Sequence, residues 1–79
     1  MMKLKIITPV GCAVEAPVTK VFLPGAAGAF EVLENHAPIV STLEQGVVRY
    51  EQEGSMRDYP VENGFVKVEN NTIVVCTER

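Results

Sequence analysis

The chain has 79 residues, of which 47% are apolar and 22% are charged, so we expect one globular domain over residues 1–79 rather than a disordered chain. Its formal net charge of −3 argues against a nucleic-acid partner, which usually meets a basic face. No apolar run approaches the roughly 20 residues that span a bilayer, and the N-terminus is too short and too alternating for a signal peptide. We therefore expect a cytosolic protein.

The chain reads as a series of short β-strands separated by turn residues. The first strand alternates Leu4 and Ile6 with lysines and ends at Pro9. The second is expected to stop at Ala16-Pro17, and Asn70-Asn71 predicts a tight hairpin turn because asparagine tolerates positive φ. The predicted strands cover residues 3–8, 12–15, 19–23, 28–33, 39–43, 46–52, 56–61, 64–69 and 72–77.

About nine strands at a spacing of about eight residues predict an all-β fold, an antiparallel sandwich or barrel. No stretch carries a helical period beyond two turns, and we find no internal repeat and no linker. The apolar residues of the strands supply the predicted core, which consists of Leu4, Ile6, Val21, Leu23, Phe30, Val32, Ile39, Leu43, Val48, Phe65, Val68, Ile73 and Val75.

The two cysteines, Cys12 and Cys76, match no zinc spacing, because a structural zinc site needs four close ligands. The sequence alone leaves a disulfide between them open. In a reducing cytosol we expect two free thiols that behave as small apolar residues.

His36 is the only histidine of the chain and the first candidate for chemistry. Ser41 is close to it in sequence, but a strand that starts at Ile39 would carry this hydroxyl away from the imidazole. No G-x-S-x-G elbow is present, so we expect no catalytic site. His36 fits a loop residue that fixes the turn before Pro38, or a loop shaped for docking on another protein, and these two interpretations are compatible.

Cofactor, metal and carrier functions find no support in the residues. The glycine-rich stretch from Gly25 to Gly28 lacks the frame of a phosphate-binding loop and predicts a turn between two strands. One histidine with scattered acids gives no metal cluster. A swinging-arm carrier would need an exposed hairpin lysine, whereas Met56 is followed by Arg57, which cannot be acylated. We expect no cofactor.

The stretch "VFLPGAAGAFEVLENHAPIVSTLEQGVVRY" resembles the N-terminal β-sandwich of the F-type ATP synthase epsilon subunit. The resemblance rests on an ordered set of short motifs: PG, a following glycine, HAP, an apolar strand and GVVR. It extends to "LKIITP" at the start and "VENGFVKVENNTIVVC" near the end, so it covers nearly the whole chain.

The resemblance implies a flattened antiparallel β-sandwich of two roughly five-stranded sheets. It also implies a non-catalytic rotor subunit that links the gamma subunit to the membrane c-ring and helps couple ion translocation to ATP synthesis. Such a subunit is peripheral, at the cytoplasmic face of the membrane, and meets the membrane only through the complex. Carried over by position, the c-ring contact is expected at Ala26, Ala27, Gly28, Ala29, Glu34, Asn35 and Ala37, and the gamma contact at Thr8, His36 and Ser41.

Two departures from the family pattern matter. Asn35 stands where the family usually has glycine, and asparagine is the next-best residue for a left-handed backbone. The sequence ends where most members begin a C-terminal helical hairpin, so we expect no hairpin-based inhibition and no ATP binding by this chain. A free-standing β-sandwich module with an unrelated protein partner remains the alternative function.

Overall fold

The structure is a computed structural model that describes residues 1–78, and the regular structure in this range consists of nine β-strands. They are β1 (Met2–Thr8), β2 (Gly11–Val18), β3 (Lys20–Leu23), β4 (Phe30–Leu33), β5 (Ile39–Leu43), β6 (Gly46–Gln52), β7 (Ser55–Val61), β8 (Gly64–Glu69) and β9 (Thr72–Thr77). One sheet has five strands in the order β2-β1-β9-β8-β5, and the other has four in the order β4-β3-β6-β7. The predicted all-β sandwich is therefore confirmed.

The pairing of the strands is antiparallel with one exception. Strands β1 and β9 run parallel, with Leu4 opposite Ile73 and Ile6 opposite Val75. Their parallel pairing places the last strand of the chain beside the first, at the centre of the five-stranded sheet. The chain ends of the domain are thus tied together by a long-range ladder.

The second strand is longer than the sequence predicted. The expectation that it stops at Ala16-Pro17 was wrong, because β2 runs on to Val18. A proline lacks the N–H that an inner strand must donate, but β2 is an edge strand and tolerates Pro17 there. Pro60 is accommodated in the same way in β7, an edge strand of the other sheet.

The core lies between the two sheets and is built from one side chain in two along each strand. Ten of the thirteen predicted core residues are buried as expected, and Phe30 and Ile39 are half-buried against them. Phe65 was assigned wrongly: it is 49% exposed on the outer face. Val66 and Val68 point inward, so Phe65 must point outward. The core also contains residues that the prediction left out: Met2, Ala16, Val18, Tyr50, Val61 and Val66.

Asparagines occupy the tight backbone positions that the sequence marked. Asn70 and Asn71 have φ of 51° and 58°, and they form the predicted turn between β8 and β9. Asn35 has φ of 66°, as expected for a residue that replaces a glycine. The turn between β6 and β7 uses Glu53 and Gly54, also at positive φ.

Candidate interaction surface

Nine of the ten predicted contact residues lie in the segment that wraps the edge strands β4 and β5. We call residues Ala26–Ala29 the alanine loop, which precedes β4, and residues Glu34–Ala37 the histidine loop, which follows it. The two loops lie at opposite ends of β4, about 13 Å apart at about 3.3 Å per residue. They therefore flank one side of the molecule, at the edge strand β4.

The alanine loop is held against the C-terminal end of β5. Gly25 forms a β-bridge with Leu43, and the Ala26 N–H donates to the Thr42 carbonyl (2.9 Å). Gly28 donates its N–H back to the Gly25 carbonyl (3.0 Å) and has φ of 138°, which suits glycine. The alanine side chains are exposed, so this loop offers a small-residue surface that another backbone can approach closely.

The histidine loop crosses from the four-stranded sheet to the five-stranded sheet. The His36 N–H donates to the Leu33 carbonyl (3.1 Å), and the His36 Nδ1 lies 2.7 Å from the Ala37 carbonyl oxygen. A carbonyl oxygen can only accept, so this contact requires the proton on Nδ1. The half-buried imidazole therefore fixes the turn before Pro38, in agreement with the structural interpretation of this residue.

Two asparagine side chains join the histidine loop to the turn between β8 and β9. The Asn35 N–H donates to Asn71 Oδ1 (2.6 Å), and Asn71 Nδ2 donates to Asn35 Oδ1 (3.2 Å). The N-terminal ammonium of Met1 also lies 2.8 Å from Glu34 Oε2, with both groups mostly exposed. These contacts could not be predicted from local sequence, because the partners are 36 residues apart in one case and 33 in the other.

The three residues expected to meet gamma do not form a compact cluster. His36 lies in the histidine loop, and Ser41 lies in the middle of β5 opposite Val66. Thr8 ends β1, which is separated from β5 by β9 and β8. The Thr8 hydroxyl donates to the Gly11 carbonyl (3.0 Å) and closes the turn into β2. A partner that touches all three must lie along the five-stranded sheet.

Nothing in residues 1–78 assembles a catalytic or metal-binding constellation around His36. The Ser41 hydroxyl donates to the Thr42 carbonyl (3.1 Å), while the imidazole is bonded within its own loop. No group of three or more histidine, cysteine or acidic side chains in this range is placed to hold a metal ion. Residues 1–78 also contain no helix able to cross a bilayer.

A row of apolar, thiol and hydroxyl side chains crosses the outer face of the five-stranded sheet. By strand register, Cys12, Ile7, Cys76, Phe65 and Thr42 follow one another over all five strands. We call these five residues the outer row. This row was not predicted, although Ile7 and Phe65 are out of phase with the buried residues of their strands. That phase was the signal available in the sequence.

The charged residues on the outer faces pair within each sheet. Lys3 Nζ lies 2.7 Å from Glu15 Oε2, and this hydrogen bond, together with the positive charges of Lys3 and Lys5, lowers the pKa of Glu15. On the other sheet, Arg49 donates to Asp58 (2.9 Å), which raises the pKa of the arginine. These pairs are exposed and contribute little to stability, but they leave the outer row as the continuous apolar strip of its face.

The sequence of the chain matches a known protein family. The sequence model of the family described as the β-sandwich domain of the ATP synthase delta/epsilon chain matches residues 1–79. The ATP synthase epsilon chain of Symbiobacterium thermophilum is 41% identical over 78 residues, which cover 98% of this chain and 56% of that relative. The chain thus spans about half the length of curated relatives of this kind.

Solved structures share the fold at lower identity. A chain in a cryo-EM structure of the OSCP, F1 and c-ring of the Euglena gracilis mitochondrial ATP synthase superposes with a TM-score of 0.91 at 22% identity, covering 99% of this chain and 51% of that one. A chain in the central stalk and c-ring structure of the Tetrahymena thermophila mitochondrial ATP synthase gives a TM-score of 0.82 at 13% identity, covering 99% and 63%. With the match over residues 1–79, the chain belongs to the ATP synthase delta/epsilon chain β-sandwich family.

Proposed function

We propose that this chain is a non-catalytic subunit of the central stalk of an F-type ATP synthase. In this role it turns with the rotor, links the gamma subunit to the c-ring and helps couple ion translocation to ATP synthesis. It is a peripheral subunit at the cytoplasmic face of the membrane. The observation that carries the proposal is the family match over residues 1–79, with 41% identity to an epsilon chain over nearly the whole of this sequence.

The c-ring contact is proposed at the alanine loop and the histidine loop. Because these loops flank the edge strand β4, a ring that meets both lies along this edge rather than against one end of the sandwich. The exposed side chains of Ala26, Ala27 and Ala29 suit close packing of another backbone, and small loop residues of this kind often form protein contacts.

The gamma contact is proposed at Thr8, His36 and Ser41. Gamma then lies along the five-stranded sheet, because Thr8 and Ser41 are on strands that are three steps apart. The outer row crosses the outer face of this sheet. Ser41, opposite the buried Val66, and Thr8, in phase with the buried Ile6, lie toward its inner face, so the outer row is not part of this proposed contact.

A pull-down with the gamma subunit encoded by the same organism tests the rotor assignment. We expect a stable one-to-one complex that is weakened by small changes at the proposed contact, such as Thr8→Ala or Ser41→Ala. Alanine is used at Ser41 because this residue is half-buried opposite the buried Val66, where a bulky charge would disturb the fold. A folded chain, by circular dichroism, that captures no gamma would favour the free-standing binding module. An unmodified mass of the native chain would exclude a carrier function.

Co-purification with the c-ring tests the alanine loop. Ala27→Arg should leave the fold intact and weaken attachment to the ring, because it places a charge in the proposed contact. Ala13→Arg is the matched control, since Ala13 is also exposed but lies on the far edge strand β2. Equal ring binding by the two variants would remove the alanine loop from the interface.

A further inference from the structure

The histidine loop has few bonds of its own to fix its shape. It leaves the four-stranded sheet at Leu33 and enters the five-stranded sheet at Ile39, so it must bridge the two layers. The His36 N–H donates to the Leu33 carbonyl, which ties the loop back to β4, and the contact of His36 Nδ1 with the Ala37 carbonyl oxygen lies within the loop. Its ion pair, between Glu34 and the N-terminal ammonium, is exposed on both sides and therefore weak.

Asn71 supplies the stronger connection of this loop to the five-stranded sheet. Its side-chain amide accepts from the Asn35 N–H (2.6 Å) and donates to Asn35 Oδ1 (3.2 Å). One amide group therefore pairs with both the backbone N–H and the side-chain oxygen of Asn35. Asn71 is itself well anchored. It is half-buried, its carbonyl accepts from the Lys3 N–H (2.9 Å), and it occupies the second left-handed position of the turn between β8 and β9.

The pair also stabilises a backbone conformation that asparagine adopts at some cost. Asn35 has φ of 66°, a backbone conformation that has a higher energy for a residue with a side chain than for glycine. An asparagine here adds the Oδ1 that accepts the second hydrogen bond, which a glycine would lack. The two asparagines are thus complementary: one takes the strained position, and the other holds it there.

We propose that Asn71 is a positioning residue for docking, which holds the histidine loop in its binding shape through the reciprocal amide pair with Asn35. The part of this statement that concerns docking rests on the proposed function. Asn71 need not touch the partner, because it acts through the conformation of residues 34–37.

Two glycine variants of the same turn isolate the amide pair. Asn71→Gly removes both hydrogen bonds to Asn35, and Asn70→Gly removes none, since among residues 1–78 the Asn70 side chain makes no hydrogen bond to the loop. Glycine is favoured at both left-handed positions of such a turn, so each variant keeps the hairpin. Asn71→Asp is the conservative variant, because its carboxylate still accepts from the Asn35 N–H.

The first readout is the hydrogen-exchange rate of the Asn35 amide, measured by NMR on the folded chain. Loss of its acceptor should speed this exchange about threefold to tenfold in Asn71→Gly relative to Asn70→Gly. The second readout is the affinity for a purified, detergent-solubilised c-ring, which should fall by a similar factor in Asn71→Gly alone. Asn71→Asp should restore slow exchange of the Asn35 amide.

Each result decides one claim. Equal Asn35 exchange in the two glycine variants would overturn the proposal. Faster exchange in Asn71→Gly with unchanged ring affinity would overturn the positioning role and leave the proposed function standing. Failure of the wild-type chain to bind the ring, with slow exchange at Asn35, would overturn the proposed function and leave the tether between Asn35 and Asn71 supported.

Discussion

Gly64 is the glycine at which the fold leaves least room for a side chain. It opens β8 with φ of 147°, a region that other residues rarely enter, and it pairs with Leu43 on one side and Thr77 on the other. A Cβ added here would overlap the carbonyl oxygen of Cys76 and lie 3.0 Å from its carbonyl carbon. These are backbone atoms of β9, so they cannot rotate away as a side chain would.

Gly64→Ala should therefore destabilise the domain through two separable effects. The strained φ costs about 1–3 kcal/mol, and displacing the β9 backbone costs about another 1–3 kcal/mol. Gly11→Ala is the matched control: Gly11 also opens a strand at positive φ, 131°, but its added Cβ would meet no atom within 4 Å. The control should show the strain effect without the collision.

Urea unfolding at equilibrium measures both variants on one scale. The free energy of unfolding should fall by about 1–3 kcal/mol more for Gly64→Ala than for Gly11→Ala. At about 4–8 °C per kcal/mol for a domain of this size, the difference in Tm should be about 5–20 °C. Equal destabilisation by the two substitutions would mean that the β9 backbone moves freely at Cys76 and that the close approach costs no stability.

Three further predictions concern the core, the surface charges and the thiols. Leu23→Ala should cost about 2–5 kcal/mol in urea unfolding, whereas Phe65→Ala should cost less than about 1 kcal/mol, and a larger cost for the phenylalanine would contradict its exposure. The pKa of Glu15, followed by NMR titration, should lie below the usual value of about 4.3 and return toward it in Lys3→Met. Because the pKa is lowered in the folded state, the ion pair adds a small stabilisation above the usual pKa. This stabilisation is lost as the pH falls through the folded pKa. Cys12 is exposed and should react with a thiol reagent before the half-buried Cys76 does. Mild oxidation should form no disulfide within the chain, because β1 lies between the strands that carry the two cysteines. A monomer with a Cys12–Cys76 disulfide would contradict this strand register.

Local signals predicted the strands and turns well because they act within a few residues. The alternation of Leu4 and Ile6 and the Asn70-Asn71 turn need no knowledge of the rest of the chain. The end of β2 was different, since Pro17 is acceptable only because β2 is an edge strand. That fact belongs to the order of the strands, and no local pattern contains it.

The candidate site shows the same division. The family resemblance supplied the positions of the alanine and histidine loops, and asparagine chemistry predicted the left-handed backbone at Asn35. The amide pair of Asn35 with Asn71 depends on how the two sheets are stacked, so the sequence held no sign of it. Phe65 was a different kind of miss: it and Val68 are an odd number of residues apart in one strand, so they cannot both face the core.

The anchoring of the two loops suits the proposed stalk role, in which the chain transmits force between partners. Both loops belong by connectivity to β4, a strand of four residues at the edge of the smaller sheet. Each is nevertheless hydrogen-bonded to the larger sheet, the alanine loop through Ala26 to Thr42 and the histidine loop through Asn35 to Asn71. A load applied at either loop therefore passes into both sheets and across the packed core between them, which complies little. If the loops were attached to β4 alone, the same load would act only on the short hydrogen-bond ladder between β4 and β3. The contact surface could then shift without moving the rest of the domain.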